Sequence, residues 1–92
     1  MRKIEKQMCI AIAHGKAWHG SNTRVQPIDD TNCAVFLHGN HIADFNRKTG
    51  FVMVDRHTLA QWSTPTTKSR LRALGAHVTT RNGITYLDGV AV

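Results

Sequence analysis

Ninety-two residues allow one small core and leave no room for a second. With 41% hydrophobic residues and both tryptophans to fill that core, a globally disordered chain is excluded. Twelve Lys and Arg against six Asp and Glu give a net charge of +6, a balance that suits solubility and favours polyanionic partners such as nucleic acid or a ribonucleoprotein.

Ile4, Met8 and Ile12, with Ala11 beside them, recur at helical spacing and predict a helix over residues 2–16. Arg2, Lys3 and Lys6 lie largely elsewhere around the wheel, and Glu5 is the lone acid, so the outer face reads as basic. Gly15 and the cluster Trp18-His19-Gly20-Ser21-Asn22 predict a loop. From Thr23 the period changes to two. Residues 23–28 predict a strand with Pro27 placing it at an edge, and Asp29-Asp30 a turn. Residues 31–37 predict a second strand with Cys33, Val35 and Leu37 on one face and Ala34 and Phe36 on the other. A tight reversal at His38-Gly39-Asn40-His41 leads to a strand over 42–46; Arg47-Lys48-Thr49-Gly50 then turns into a strand over 51–55. Residues 56–62 read as a connection in which Leu59 and Trp62 dock on the core.

The segment 63–75 is a short helix with both ends written in. Ser63 or Thr64 can cap it, Pro65 suits its first turn, and Gly75 suits a left-handed exit. Thr67, Leu71 and Leu74 mark its inner face. Thr66, Thr67, Lys68, Arg70 and Arg72 follow the positive end of the helix dipole, a combination of hydroxyls, free N–H groups and cations suited to phosphate or carboxylate. A solvated helix whose cations offset the C-terminal dipole accounts for Arg72 but poorly for Lys68, which sits early in the helix. Residues 77–81, Asn82-Gly83 and 84–87 predict a closing hairpin. The order α-β-β-β-β-α-β-β predicts an α+β fold, an antiparallel sheet (meander plus C-terminal hairpin) with an N-terminal helix and a short basic helix packed on it, in one domain over 1–92.

Arg2, Lys3 and Lys6, with Arg47 and Lys48 in a turn and Arg81 beside another, extend the candidate positive track, whose phosphate contacts would be salt-dependent and tolerant of sequence. His38 and His41 flank one turn and His14 and His19 are close in sequence, but no zinc spacing is present, so no metal or other cofactor is expected. Cys9 and Cys33 have no CxxC partner and read as buried free thiols of a reduced, intracellular protein. No nucleophile or paired carboxylate has an activating context, so neither an enzyme nor a small-molecule substrate is expected; a metal-dependent hydrolase or nuclease built on the histidines is the weakest alternative. Among the aromatics, Trp18 is the candidate for stacking on a base, with core packing the reading for the rest. No apolar run is long enough for a membrane span and the first residues lack a signal-peptide core, so no membrane partner is expected.

Leu37-His38-Gly39-Asn40-His41-Ile42-Ala43, Trp62, Thr66-Thr67-Lys68-Ser69-Arg70-Leu71 and Asn82-Gly83-Ile84-Thr85-Tyr86-Leu87 resemble a family of short orphan proteins of bacteriophages, over most of the chain. Length, charge and phage character further resemble the small anti-CRISPR proteins directed at the type I-F surveillance complex. That resemblance implies an inhibitor in the host bacterial cytoplasm that docks on a guide-RNA–Cas ribonucleoprotein and blocks target DNA hybridisation. The alternative is a small accessory protein that binds DNA or RNA directly.

Overall fold

The computed structural model describes all of residues 1–92. In chain order its elements are α1 (Lys3–His14), β1 (Trp18–Gly20), β2 (Thr23–Pro27), β3 (Asn32–Leu37), β4 (Asn40–Asn46), β5 (Val52–Val54), α2 (Arg56–Gln61), α3 (Pro65–Ala73), β6 (Val78–Arg81), β7 (Ile84–Leu87) and β8 (Val90–Ala91). The α+β class follows the sequence pattern. Strands β1 to β5 form a five-stranded antiparallel meander, and β6 to β8 a separate three-stranded sheet.

Turn chemistry sets the strand registers. His38-Gly39, Asn82-Gly83 and Asp88-Gly89 each place two successive residues at positive φ, the type I′ geometry whose twist matches that of paired strands. Between β3 and β4 the register shifts at Val35/Phe36: Val35 pairs with Ala43 and Phe36 with His41. Ile42 is the extra residue of this bulge, so Ile42 and Ala43 both turn into the core while His41 returns to the opposite face.

Met8 and Ile12 from α1, Leu59 from α2, and Leu71 and Leu74 from α3 pack in one hydrophobic cluster with Val25, Cys33, Val35 and Leu37. Val78 and Leu87 join the same cluster, which ties the smaller sheet to the larger. The helices therefore cover one face of the meander. The other face carries His19, Arg24, Gln26, Phe36, His41, Asp44 and Met53, all exposed or half-buried.

Arg47 closes the end of α1. Its guanidinium donates to the carbonyls of Ile12 at 2.8 Å and Ala13 at 3.0 Å, and to that of Asp30 in the β2–β3 turn at 2.7 Å. A cation at a helix C-terminus satisfies orphan carbonyls and opposes the dipole. The close approach requires Gly15, which has φ of 63° and whose Cβ would fall 2.8 Å from the guanidinium.

The structure departs from the sequence reading in four places. Strand β2 lies between β1 and β3 instead of at an edge; Pro27 is accommodated because β1 pairs only with Thr23–Val25 and leaves Pro27 without a partner on that side. Residues 18–20 form strand β1 instead of a loop: Trp18, His19 and Gly20 pair with Val25, Arg24 and Thr23, and the Trp18 ring lies over Gly20, where a side chain would collide with it. Residues 56–61 form helix α2 instead of an irregular connection; Asp55 caps it by accepting the Thr58 N–H at 3.0 Å. Leu59 docks on the core as expected, whereas Trp62 does not and is 51% exposed. Strand β8 is additional, joined through Asp88-Gly89, the same kind of turn dipeptide as Asn82-Gly83.

Candidate polyanion interface

Helix α3 forms as its sequence dictates. Thr64 is the N-cap, with Pro65 in the first turn, and the Thr64 hydroxyl accepts the Thr67 N–H at 3.1 Å. Its Oγ1 also lies 2.9 Å from Thr67 Oγ1, and the Thr64 carbonyl accepts the Lys68 N–H. The helix N-terminus is thus largely closed by its own residues. Thr67 is buried and its hydroxyl is turned inward, and Thr66 is half-buried. The expected anion site at this helix start is not formed.

Arg70 also leaves the expected contact group. It is buried, with Nη1 2.8 Å from Glu5 Oε2, Nε donating to Thr23 Oγ1 at 3.0 Å and Nη2 reaching Asn22 Oδ1 at 3.4 Å. Glu5 Oε2 also accepts the Ser69 hydroxyl at 2.6 Å, and Oε1 the Arg2 N–H at 3.3 Å. Burial pushes the Glu5 carboxyl up, but hydrogen bonds from Ser69, Arg70 and Arg2, with the Arg70 charge, outweigh it and hold its pKa below the ordinary value. The helical wheel shows Arg70 apart from Lys68 and Arg72; it gives no sign that a carboxylate distant in sequence is waiting for it.

The remaining cations of α3 turn toward β6, an edge strand. Lys68 Nζ donates to Thr80 Oγ1 at 2.8 Å, and Arg72 Nε to the Val78 carbonyl at 2.7 Å. The opposite side of β6 presents Thr79 and Arg81, with Tyr86 paired beside Thr79. A cleft of about 370 Å³ opens there, lined by His77, Thr79, Thr80, Arg81, Tyr86 and Gly89. Asp88 is the neighbouring acid, and its N–H donates to the His77 carbonyl at 2.9 Å. One short strand therefore carries Lys68 and Arg72 on its helix side, Arg81 on the other, and a ring, hydroxyls and an imidazole between the turns. His77, Thr79 and Tyr86 were not singled out as site residues from sequence, although the alternation His77, Thr79, Arg81 across the Asn82-Gly83 turn places them together.

Arg2, Lys3 and Lys6 are exposed on α1, the helix joined to α3 through Glu5. Lys48 is exposed in the β4–β5 turn. Arg47 is not part of a surface track, because its guanidinium is taken up by three backbone carbonyls. Of the twelve Lys and Arg, only Arg70 has a carboxylate within 4.0 Å.

The histidines do not converge. His41 Nε2 lies 2.8 Å from Asp44 Oδ1 and Nδ1 3.6 Å from Asp55 Oδ2, while His14, His19 and His38 are exposed elsewhere. Cys33 is buried and Cys9 half-buried, and burial pushes both thiols up, Cys9 further through the Glu5 charge and Cys33 despite the opposing Arg47 charge. No helix is long and apolar enough to cross a membrane.

Comparison with known families finds a match to the family described as Kyanoviridae Gp96 protein, over residues 1–91. The chain belongs to this phage protein family. The phage origin expected from the resemblance therefore stands for the Gp96-family chain. No curated protein and no solved structure matches it.

Proposed function

We propose that this phage protein is a non-catalytic binder of a phosphate-rich partner, and that the basic edge around β6 is its docking surface. The observation that carries the reading is electrostatic. Eleven cations lack an acid partner, and Lys68, Arg72 and Arg81 among them flank one edge strand beside an open polar cleft. Cations fixed to β6 by Thr80 and Val78 are pre-organised, so little side-chain freedom is lost when a phosphate arrives. Arg2, Lys3, Lys6 and Lys48 supply weaker, peripheral attraction.

The partner proposed is a host guide-RNA–Cas surveillance complex of the type I-F kind, held in the bacterial cytoplasm so that target DNA cannot hybridise. Membership of a phage family supports a target in the infected host; the choice of this ribonucleoprotein rests on the resemblance to small inhibitors. Such a partner combines RNA phosphates with protein surface, which suits cations interspersed with exposed Ile84 and Val90 on the same small sheet.

The test is a pull-down of tagged protein from a host lysate with an active type I-F system, with and without nuclease, repeated with Lys68→Glu/Arg72→Glu. Co-retention of Cas subunits and guide RNA that survives nuclease and is lost in the double variant is the expected result. Recovery of mixed nucleic acid alone, abolished by nuclease, replaces this partner with naked DNA or RNA. Retention unchanged in a correctly folded double variant removes the β6 edge as the docking surface.

A further inference from the structure

The face of the meander turned away from the helices holds a second arrangement, built independently of the β6 edge. Strand register places His19 beside Arg24, Arg24 beside Phe36, and Phe36 beside His41, one row across β1, β2, β3 and β4. The Arg24 guanidinium carbon lies over the Phe36 ring, 4.1 Å from its centroid, a cation–π contact. The His41 ring is 5.4 Å from Phe36, tilted by 52°. Asp44 and Asp55 bracket its two nitrogens and fix its orientation.

We propose that this row is a base-stacking platform for single-stranded nucleic acid. Strands spaced about 4.8 Å apart make a row of four roughly 14 Å long, room for two or three unstacked bases. The bulge matters here: without Ile42 as the extra residue, His41 would fall on the core side and the row would end at Phe36. Planar groups in one row on an open sheet face offer π-surface to a base, and the guanidinium over Phe36 adds charge that a purely apolar face would lack. Charge sets the direction of the bound strand. Arg24 attracts phosphate at the β1–β2 end, whereas Asp44 and Asp55 repel it at the β4 end. The His41 end therefore receives a base, with the backbone passing outside it. Double-stranded nucleic acid, whose bases are already stacked, gains nothing from such a surface.

The intact protein is titrated with labelled short oligo-dT, oligo-U and an abasic deoxyribose phosphate chain of equal length, read by fluorescence anisotropy at low salt. Base-bearing chains are expected to bind more tightly than the abasic one, and Phe36→Leu to weaken them roughly fivefold to a hundredfold without changing abasic binding. Lys68→Glu/Arg72→Glu removes phosphate attraction at the other surface and lowers all three probes alike. Preference between oligo-U and oligo-dT identifies RNA or DNA as the source. Equal affinity of the wild-type protein for abasic and base-bearing chains, or no binding of any of them, overturns the platform. If Phe36→Leu does not fold, oligonucleotide titration of the wild-type protein followed by NMR decides. Ring-proton shifts of Phe36 and His41 with oligo-dT but not with the abasic chain support the site, and their absence overturns it.

Discussion

Replacing Arg70 with alanine is the sharpest test of the distinction between buried and surface cations in this chain. Arg70 and Glu5 have side-chain exposures of 4% and 3%, and the guanidinium also serves Thr23 and Asn22. Arg70→Ala leaves the carboxylate in the core with only Ser69 and the Arg2 N–H to hold it. Removing one partner of a buried pair costs about 3–5 kcal/mol. A chain of this length has roughly 5–14 kcal/mol of total stability, so the variant sits near the edge of folding. At about 4–8 °C per kcal/mol, the midpoint should fall by at least ~12 °C. Urea denaturation followed by circular dichroism at neutral pH measures the loss. The control is Glu5→Leu/Arg70→Met, which removes both charges and fills the space; a buried pair exchanged for apolar side chains is expected to be near neutral. A loss below about 1 kcal/mol for Arg70→Ala, the range of an exposed ion pair, would refute the reasoning. The doubly apolar variant carries a functional consequence as well. It should bind the partner as the unmodified protein does, and a well-folded double variant that has lost binding would return Arg70 to the interface.

Acid should destabilise the protein from more than one site. The Thr31 N–H, followed by Asn32, takes Asp29 down to about 2, and the Thr58 N–H lowers Asp55 against a smaller upward push from burial; Glu5 is lowered as well. Each group binds fewer protons folded than unfolded, so its contribution is present above ordinary carboxylate values and lost as pH falls through the lowered ones. Urea midpoints should be level near neutrality and drop progressively below about pH 4.5, and a midpoint unchanged down to pH 2.5 would contradict this. Arg47→Ala should free the end of α1: hydrogen exchange of the amides around 12–16 should quicken, with a global loss of about 2–4 kcal/mol from three charged hydrogen bonds. Protection unchanged in that variant would show that Gly15 alone ends the helix. A thiol reagent should label Cys33 only after denaturation, since the residue is fully buried; rapid labelling of the native protein would place it elsewhere.

Much of the architecture was legible in local pattern. Met8, Ala11 and Ile12 announce α1 by spacing, the alternation of Cys33, Val35 and Leu37 announces the inner face of β3, and Asn82-Gly83 announces its hairpin. Asp88-Gly89 carries the same signal, but the two-residue strand Val90–Ala91 that follows is too short to show an alternation. The candidate site was legible only in part. Lys68 and Arg72 share one side of α3 as the wheel gives, but that side meets β6. Arg70, Thr67 and Arg47 do not act as surface groups, because their partners are set by the tertiary fold or by the cap itself. A charge that looks free on one helix finds a carboxylate on another, and a charge in a turn finds the end of a helix. The stacking row was hidden for the same reason: Arg24, Phe36 and His41 are neighbours only once register and bulge are fixed.

The Glu5–Arg70 pair also sets a timetable for the nascent chain, because its two members are 65 residues apart. At about 5–20 residues per second, Glu5 is made roughly 3–13 seconds before the arginine that neutralises it. During that interval α1 cannot dock with Glu5 satisfied, and the meander is synthesised without the third helix that helps cover it. Folding of this chain is therefore coupled to completion of its last third, and the protein becomes competent to bind anything only as a nearly finished molecule.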